Sequence, residues 1–292
     1  MKYRLYHDES KNAGYWHGML LVPEDRKSEL VGLLELVRNN LNYDDPIGIK
    51  NVKKEKNRVF DLAQAWIEIG CGALRSRSKG EAFPVFLGQT EKGRKIPETP
   101  EIPTGCKFIV LRDTSEHKQL SSFSDFGSKI ETFIRVGLKG GLHLLGSNES
   151  PIHVHSLHFD GHEHYGRKLS KERIIDRMND LRDYCSVSGE IDDRTSDHRK
   201  DHSQERSDCQ LIQLTDLLVG SFRTCIEQTR ECHETLCKYP NQLTRAYQKG
   251  YKRMQNSRWK DSLSFSEARL DDQGWHFSNI DFKKDSRQLE LL

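Results

Sequence analysis

The sequence predicts an α/β fold: a mixed sheet flanked by helices, with a C-terminal helical extension and a hairpin. Three observations carry this expectation. Short aromatic and aliphatic runs at residues 2–7, 15–22, 107–113 and 151–160 have strand character. Longer stretches between them repeat apolar residues three and four apart, the spacing of an amphipathic helix. The two kinds of segment alternate, which is the order of a sheet covered by helices.

Each element follows from local chemistry. Lys2 to His7 alternates around Tyr3 and Leu5, Tyr15 to Val22 is aromatic and aliphatic, and Lys11-Asn12-Ala13-Gly14 between them marks a hairpin. Pro23 opens a helix over residues 24 to 40, with Leu30, Leu33, Leu34 and Val37 at helical spacing. A short strand is expected at Ile47 to Val52. A helix over 57 to 75 then places Val59, Ala63, Trp66, Ile67, Gly70 and Leu74 on one face. Four prolines make residues 80 to 105 an irregular loop. KFIVLRD reads as a buried strand, followed by a helix from 128 to 145 carrying Ile130, Phe133, Ile134, Leu138 and Leu142. PIHVHSLHFD is the next strand; simple alternation assigns Ile152, Val154, Ser156 and His158 to one face and puts Asp160 at its end. A helical stretch, 169 to 184, leads into residues 189 to 208, which hold almost no apolar side chain and read as a solvated loop. LIQLTDLLVGSFRTCIEQ is the most strongly helical segment. A basic helical stretch, 241 to 258, and a hairpin around Asp272-Gln273-Gly274 complete the chain. Residues 1–230 form the principal domain and 231–292 an extension packed on it.

Composition bounds the function. The 292 residues are 35% hydrophobic and 31% charged with a mean hydropathy of −0.77, more polar than an average globular chain but with clustered apolar residues, which excludes global disorder. No apolar run approaches the roughly 20 residues of a membrane span, and MKYRLYHDES lacks the apolar core of a signal peptide, so a soluble cytoplasmic protein with no membrane partner is expected. The 46 basic and 44 acidic residues nearly cancel, so any nucleic-acid surface must be local. Seven cysteines without CxxC spacing suit reduced, mostly buried thiols.

Several groupings are candidates for chemistry. Asp8 and Glu9 close the first strand, where adjacent carboxylates either introduce a turn or hold a cation; alternation sends them to opposite faces unless the strand ends there. Gln213, Asp216 and Gly220 share one face of the late helix, the polar pair interrupting an apolar surface, either as a core hydrogen-bonding pair or as a ligand set. His153, His155, His158, Asp160, His162, Glu163 and His164 are dense enough for a transition metal, though only His153 and His155 share a strand face; the competing reading is a His-rich edge around one functional carboxylate. Cys225, Cys232, His233 and Cys237 form a weaker set without knuckle spacing. Glu68, with Asp61 and Gln64, reads as a solvated helix face or a further ligand.

Taken together, YHDES at the start, a strand ending in Asp160 and LIQLTDLLVG near the end resemble the domain of unknown function 3800 family, with its Tyr-x-Asp-Glu-Ser opening and late Leu-Gln-Leu-Ala-Asp-Leu-Leu-Ala-Gly helix. The resemblance covers about residues 1 to 230. It implies a ribonuclease H-like fold in which carboxylates from a central strand, a neighbouring strand and a late helix meet at one sheet edge. By matching position, Asp8 and Glu9 fit the opening pair, Asp160 the middle acid, and Gln213 and Asp216 the late pair. Asp113, which also ends a strand, competes for the middle place. The sequence departs from the pattern in Thr215, where alanine is usual, in lacking a histidine around Ile47 to Lys50, and in placing Ser207 within a long charged insertion.

The resemblance implies a nuclease hydrolysing DNA or RNA, with a defence role against mobile elements as one setting. Converging carboxylates need a neutralising cation, and hard oxygen donors favour Mg²⁺ or Mn²⁺. Asp8, Asp160 and Asp216 would be ligands to two ions, Glu9 a ligand or orienting group, and Gln213 a donor to a ligand or phosphate. Arg245, Lys249, Lys252, Arg253 and Arg258 would meet substrate phosphates, or else form a solvated basic face. The alternative is a non-catalytic nucleic-acid or protein-binding module that retains the fold. A partner protein or a homo-oligomer is compatible with either, and a zinc-binding regulator is a third class.

Overall fold

The alternation of KYRLYHDES builds a nine-residue strand, β1 (Lys2–Ser10), that lies inside the sheet with a neighbour on each side. The structure, a computed structural model, describes residues 1–10, 15–52, 58–74, 101–114, 126–145, 151–159, 176, 185–192, 203–230 and 262–279. On one side β1 pairs antiparallel with β2 (Tyr15–Pro23), which pairs antiparallel with β3 (Lys107–Asp113). On the other, β4 (Ile152–Phe159) runs parallel to β1, and β5 (Cys185–Asp192) parallel to β4. Beyond β3, β6 (Leu263–Asp271) runs parallel and turns back into β7 (Gly274–Asn279). The result is one mixed seven-stranded sheet of order β5-β4-β1-β2-β3-β6-β7 in an α/β architecture. The expected C-terminal hairpin forms, and its β6 continues the sheet of the first 230 residues.

Two helical layers cover the sheet. Tyr6, Trp16, Leu20 and Val22 pack with α1 (Lys27–Leu41), α2 (Arg58–Ala73) and α4 (Ser203–Arg230). Tyr3, Leu5, Met19 and Leu21 pack on the other side with Ile134, Leu138 and Leu142 of α3 (Phe126–Leu145). After Pro23 a single 3-10 turn, Glu24–Arg26, precedes α1, whose stripe of Leu30, Leu34, Val37 and Leu41 is buried. α1 ends in a left-handed Asn42 (φ 48°), with Asn42 N–H on Asn39 O at 3.1 Å and Tyr43 N–H on Arg38 O at 3.1 Å. This paired closure satisfies the last carbonyls and starts the loop that the site uses. No helix among the described residues is long and apolar enough to cross a membrane.

The structure corrects four expectations. Residues 47–52 form no strand but a 3-10 turn, Ile49–Asn51; two of their N–H groups bond to side chains of α4 rather than to a strand ladder. The single-face assignment of β4 fails because its register shifts between Val154 and Ser156: Ile152 and Val154 pack under α3, whereas His158 stacks on Tyr6 on the other face. Residues 189–192, read as the start of a solvated loop, belong instead to β5, since a backbone ladder needs no apolar side chains. The charged stretch is helical from Ser203, so residues 203–208 of the expected loop belong to α4, while residues 193–202 lie outside the described residues. The helical stretches at 169–184 and 241–258 lie outside the described residues, apart from residue 176.

Gly18 lets α4 approach. It pairs with Asp8 in the β1–β2 register, and a Cβ built there would lie 2.7 Å from Val219 Cβ. Gly18→Ala therefore pushes α4 off the sheet, and a loss of about 1–3 kcal/mol is expected by urea denaturation. Val219→Ala should not rescue it, because alanine keeps the colliding Cβ.

Candidate functional site

α4 is fastened to β1 at two points. Near the start of the helix, Tyr6 OH donates to Asp208 Oδ1 at 2.6 Å; near its end, Arg223 Nη1 donates to Ser10 Oγ. Tyr6, Asp8 and Ser10 alternate onto the same face of β1. Asp8, nearly buried at 6% exposure, lies midway between the two strand contacts, while Thr215 and Asp216 lie midway between the two helix contacts. Asp216 is also one turn before Val219, the residue seated over Gly18 opposite Asp8. The two acids thus occupy the same stretch of the helix–sheet interface, one from each element.

Asp216 is oriented from its other side. Ile49 N–H donates to Asp216 Oδ2 at 2.7 Å, and a Cβ on Gly48 would meet that oxygen at 2.7 Å, so a side chain there would displace the carboxylate. Gln213, one turn earlier, holds the same loop: its Oε1 accepts Ile47 N–H at 3.1 Å and Arg38 Nη2 at 2.8 Å. Arg38 is fully buried. Its Nη1 donates to Asp45 O at 2.8 Å and Tyr43 O at 3.3 Å, and its guanidinium lies 4.6 Å from the Trp66 ring centroid. Burial lowers its pKa to about 10, with Arg206 adding to the effect, but that still leaves it charged at neutral pH. Trp66 is itself fixed by Nε1 donating to Leu34 O at 3.1 Å.

At the start of α4 a polar knot joins four elements. Asp208 takes Lys27 at 2.5 Å as well as Tyr6, and His158 lies 3.9 Å away, stacked on Tyr6 with centroids 4.7 Å apart. Burial pushes the Asp208 carboxyl up, but His158, Lys27 and Tyr6 together hold it below the usual range. Burial, with Asp208 beside it, raises the Tyr6 phenol. Sequence reasoning missed Asp208 because it fell within a stretch read as a charged loop.

The opposite face holds a second polar group that sequence reasoning also missed. Because β1 continues in register to Ser10, Glu9 points away from Asp8, where Tyr15 OH donates to Glu9 Oε2. The Tyr15 phenol is raised by burial and then by Glu9, Asp113 and Asp8, so these three carboxylates all act on one hydroxyl. Asp113 pairs with Tyr15 across β2 and β3. His7 and His17 share a hydrogen bond of 3.0 Å, and His17 stacks on Phe133 of α3 at 5.1 Å. Glu131 extends the stripe of Ile134 and Leu138 by one turn and is buried. The signal was present as YHDES facing YWH in a hairpin, whose register sets His7 and His17 two residues apart on neighbouring strands.

The remaining sequence-derived residues divide between engaged and undescribed. Asp160, Arg245, Lys249, Lys252, Arg253 and Arg258 lie outside the described residues, as do His162, Glu163, His164, Cys232, His233 and Cys237. His153 bonds Ser186, His155 reaches Glu24 at 2.6 Å, and His158 bonds Ser156 at 3.1 Å, so the three described histidines of the His-rich run have separate partners. Glu68 is half-buried on α2. Among the described residues no group of three or more His, Cys, Asp or Glu is arranged to hold a metal ion. Asp8 and Asp216 supply two hard oxygen donors from facing elements, which suits Mg²⁺ or Mn²⁺ as part of a donor set.

Two outcomes test this geometry. Arg38→Met leaves Gln213 Oε1 and two loop carbonyls without their buried donor and should cost about 3 kcal/mol in urea denaturation. Burial lowers the His7 pKa to about 3, so the folded protein resists a proton that the unfolded chain accepts near pH 6.5. Its contribution is intact above pH 6.5 and is lost as pH falls toward 3, by about 2 kcal/mol between pH 7 and pH 5. His7→Asn, which keeps a polar contact but does not titrate, should show a shallower decline; parallel curves would mean that His7 is not held neutral.

Comparison of the chain with protein-family models, with curated proteins and with solved structures finds no match.

Proposed function

We propose that the chain is a divalent-metal-dependent nuclease built on a ribonuclease H-like core. The run β3-β2-β1-β4-β5 supports the fold: three antiparallel strands, then two parallel to β1, with α3 between β3 and β4 and α4 after β5. One observation carries the function. Asp8, on an inner strand, lies under the stretch of α4 that presents Asp216, between fixed contacts at Asp208 and Arg223. Acids that face each other across a helix–sheet interface would repel unless a cation intervened.

Asp8 and Asp216 would hold the metal, with Asp160 as the third ligand because it directly follows β4, the parallel neighbour of β1. Ions held there would supply an activated water and charge stabilisation for the leaving oxygen of a phosphodiester. The protein's own part is orientation. Ile49 N–H fixes the carboxylate plane of Asp216, and Gln213 with Arg38 fixes the loop bearing Ile49. Glu9, held by Tyr15 on the other face, sets the end of β1 rather than sharing an ion with Asp8. Arg245, Lys249, Lys252, Arg253 and Arg258 are proposed to meet the nucleic-acid backbone. The rival, a non-catalytic nucleic-acid or protein-binding module, draws on the same Asp216–Ile49 bond, read as purely structural.

The two readings separate cleanly. Asp8→Asn and Asp216→Asn should fold and lose Mg²⁺- or Mn²⁺-dependent cleavage by at least about 100-fold, since asparagine keeps the shape but removes the charge holding the cation. The rise in melting temperature that Mn²⁺ gives the wild type should disappear with it. A wild type with no Mn²⁺ shift and no cleavage of single- or double-stranded DNA or RNA would overturn the nuclease reading in favour of the binding module.

A further inference from the structure

We propose that Phe265, carried by the C-terminal hairpin, is a positioning residue that fixes where α4 presents Asp216, so that hairpin docking and metal binding support one another; this rests on the nuclease reading. The strand registers put Asp8, Gly18, Val110 and Phe265 in one row across β1, β2, β3 and β6. α4 crosses that row on residues three apart. Val219 seats over Gly18, and Phe222 meets Phe265 edge to face with ring centroids 5.0 Å apart. Asp216 continues the same spacing one turn earlier. The helix thus rests on the row at two points, with Asp216 beyond the first of them.

The second rest is made of rings. Phe265 stacks on Trp16 of β2 at 5.7 Å with the planes 10° apart, so it stands between sheet and helix, and all three rings are buried. Val219 acts as the pivot: Phe222 and Asp216 lie three residues to either side of it, about 4.5 Å along the axis each way. Lost ring height at Phe222 therefore tips Asp216 away from the sheet by a similar amount. A hard divalent ion such as Mg²⁺, with bonds of about 2.0–2.1 Å, tolerates little of that. β6 meets the rest of the sheet through one ladder, to β3, helped by the Arg112–Glu267 ion pair at 3.3 Å, so the hairpin can open without unzipping any other strand pair. An opening that removes Phe265 weakens the metal site, and by linkage a bound metal holds the hairpin closed.

The test uses the full chain as wild type, Phe265→Leu, Phe222→Leu and Glu267→Gln, with Leu138→Val as a control core change under α3 on the other face. Mn²⁺ affinity is measured by calorimetry on the folded proteins, and Asp216→Asn marks the heat that belongs to the site. The affinity of an already folded protein does not follow its margin of stability, so a phenylalanine that only fills the core leaves it unchanged. Phe265→Leu and Phe222→Leu should each weaken Mn²⁺ binding about tenfold. Leu138→Val should lower the melting temperature and keep wild-type affinity. A folded Phe265→Leu protein with wild-type affinity overturns the proposal. Should that variant not fold, Phe222→Leu decides by the same criterion. Should neither fold, the decision falls to Glu267→Gln, which removes the ion pair between β6 and β3: a loss of about threefold supports the proposal and unchanged affinity overturns it. A wild type without the Asp216-dependent heat defeats the nuclease reading and this assignment together; a wild type that binds Mn²⁺ no more tightly than its folded phenylalanine variants defeats this assignment alone.

Discussion

The buried guanidinium of Arg38 is the constraint around which the α1–α2–α4 side is arranged. A cation without solvent is costly unless acceptors and ring faces offset the lost hydration, and this one has Gln213 Oε1, Tyr43 O, Asp45 O and the face of Trp66, against the like charge of Arg206. Meeting those demands ties the end of α1, the loop after it, the middle of α2 and the middle of α4 to one point. The loop's path from Asn42 onward is then no longer free. Ile47 and Ile49 arrive with their N–H groups facing α4, and Asp216 is oriented as a consequence.

The interface between α4 and β1 depends on shape as much as on charge. Gly18 removes the one side chain that would hold the helix away from the sheet at Val219, and Gly220 lets Ile49 close from the outside, where a Cβ would meet Ile49 carbons at 2.7–2.9 Å. Tight packing on both sides leaves α4 little freedom to slide or roll. Polar contacts at its two ends, Asp208 with Tyr6 and Arg223 with Ser10, fix its register along the strand. An acid placed on such an element has a defined position without needing a rigid loop of its own.

Much of this arrangement could be read from residue order. β3 coincides with KFIVLRD, the C-terminal hairpin turns where Asp272-Gln273-Gly274 placed it, and the buried stripe of α3 is the one its periodicity marked. The failures have physical causes. Residues 47–52 are apolar enough for a strand, but their hydrogen bonds go to side chains 166 and 167 positions away, which no local pattern encodes. The bulge in β4 reverses half of its alternation, and β5 is held by backbone pairing rather than apolar side chains. Asp8 and Asp216 were identified as candidates from their pattern, yet the partners that orient them, Arg38 and Ile49, are ordinary residues in any local window. Glu9 was grouped with Asp8 by adjacency, and strand geometry separates them.

The inner position of β1 also carries a cost during synthesis. β1 and β2 can close their hairpin as soon as both are made, but the opposite edge of β1 stays open until β4 is translated, since Lys2 pairs with His153. At typical elongation rates that interval is roughly 10–30 seconds, long compared with the microseconds in which a hairpin zips. Throughout it the nascent chain presents an unpaired edge along Tyr3, Leu5 and His7, a template for any other extended chain. A strand that ends up inside the sheet thus waits long for its second neighbour, so the yield of folded protein is tied to what shields that edge on the ribosome.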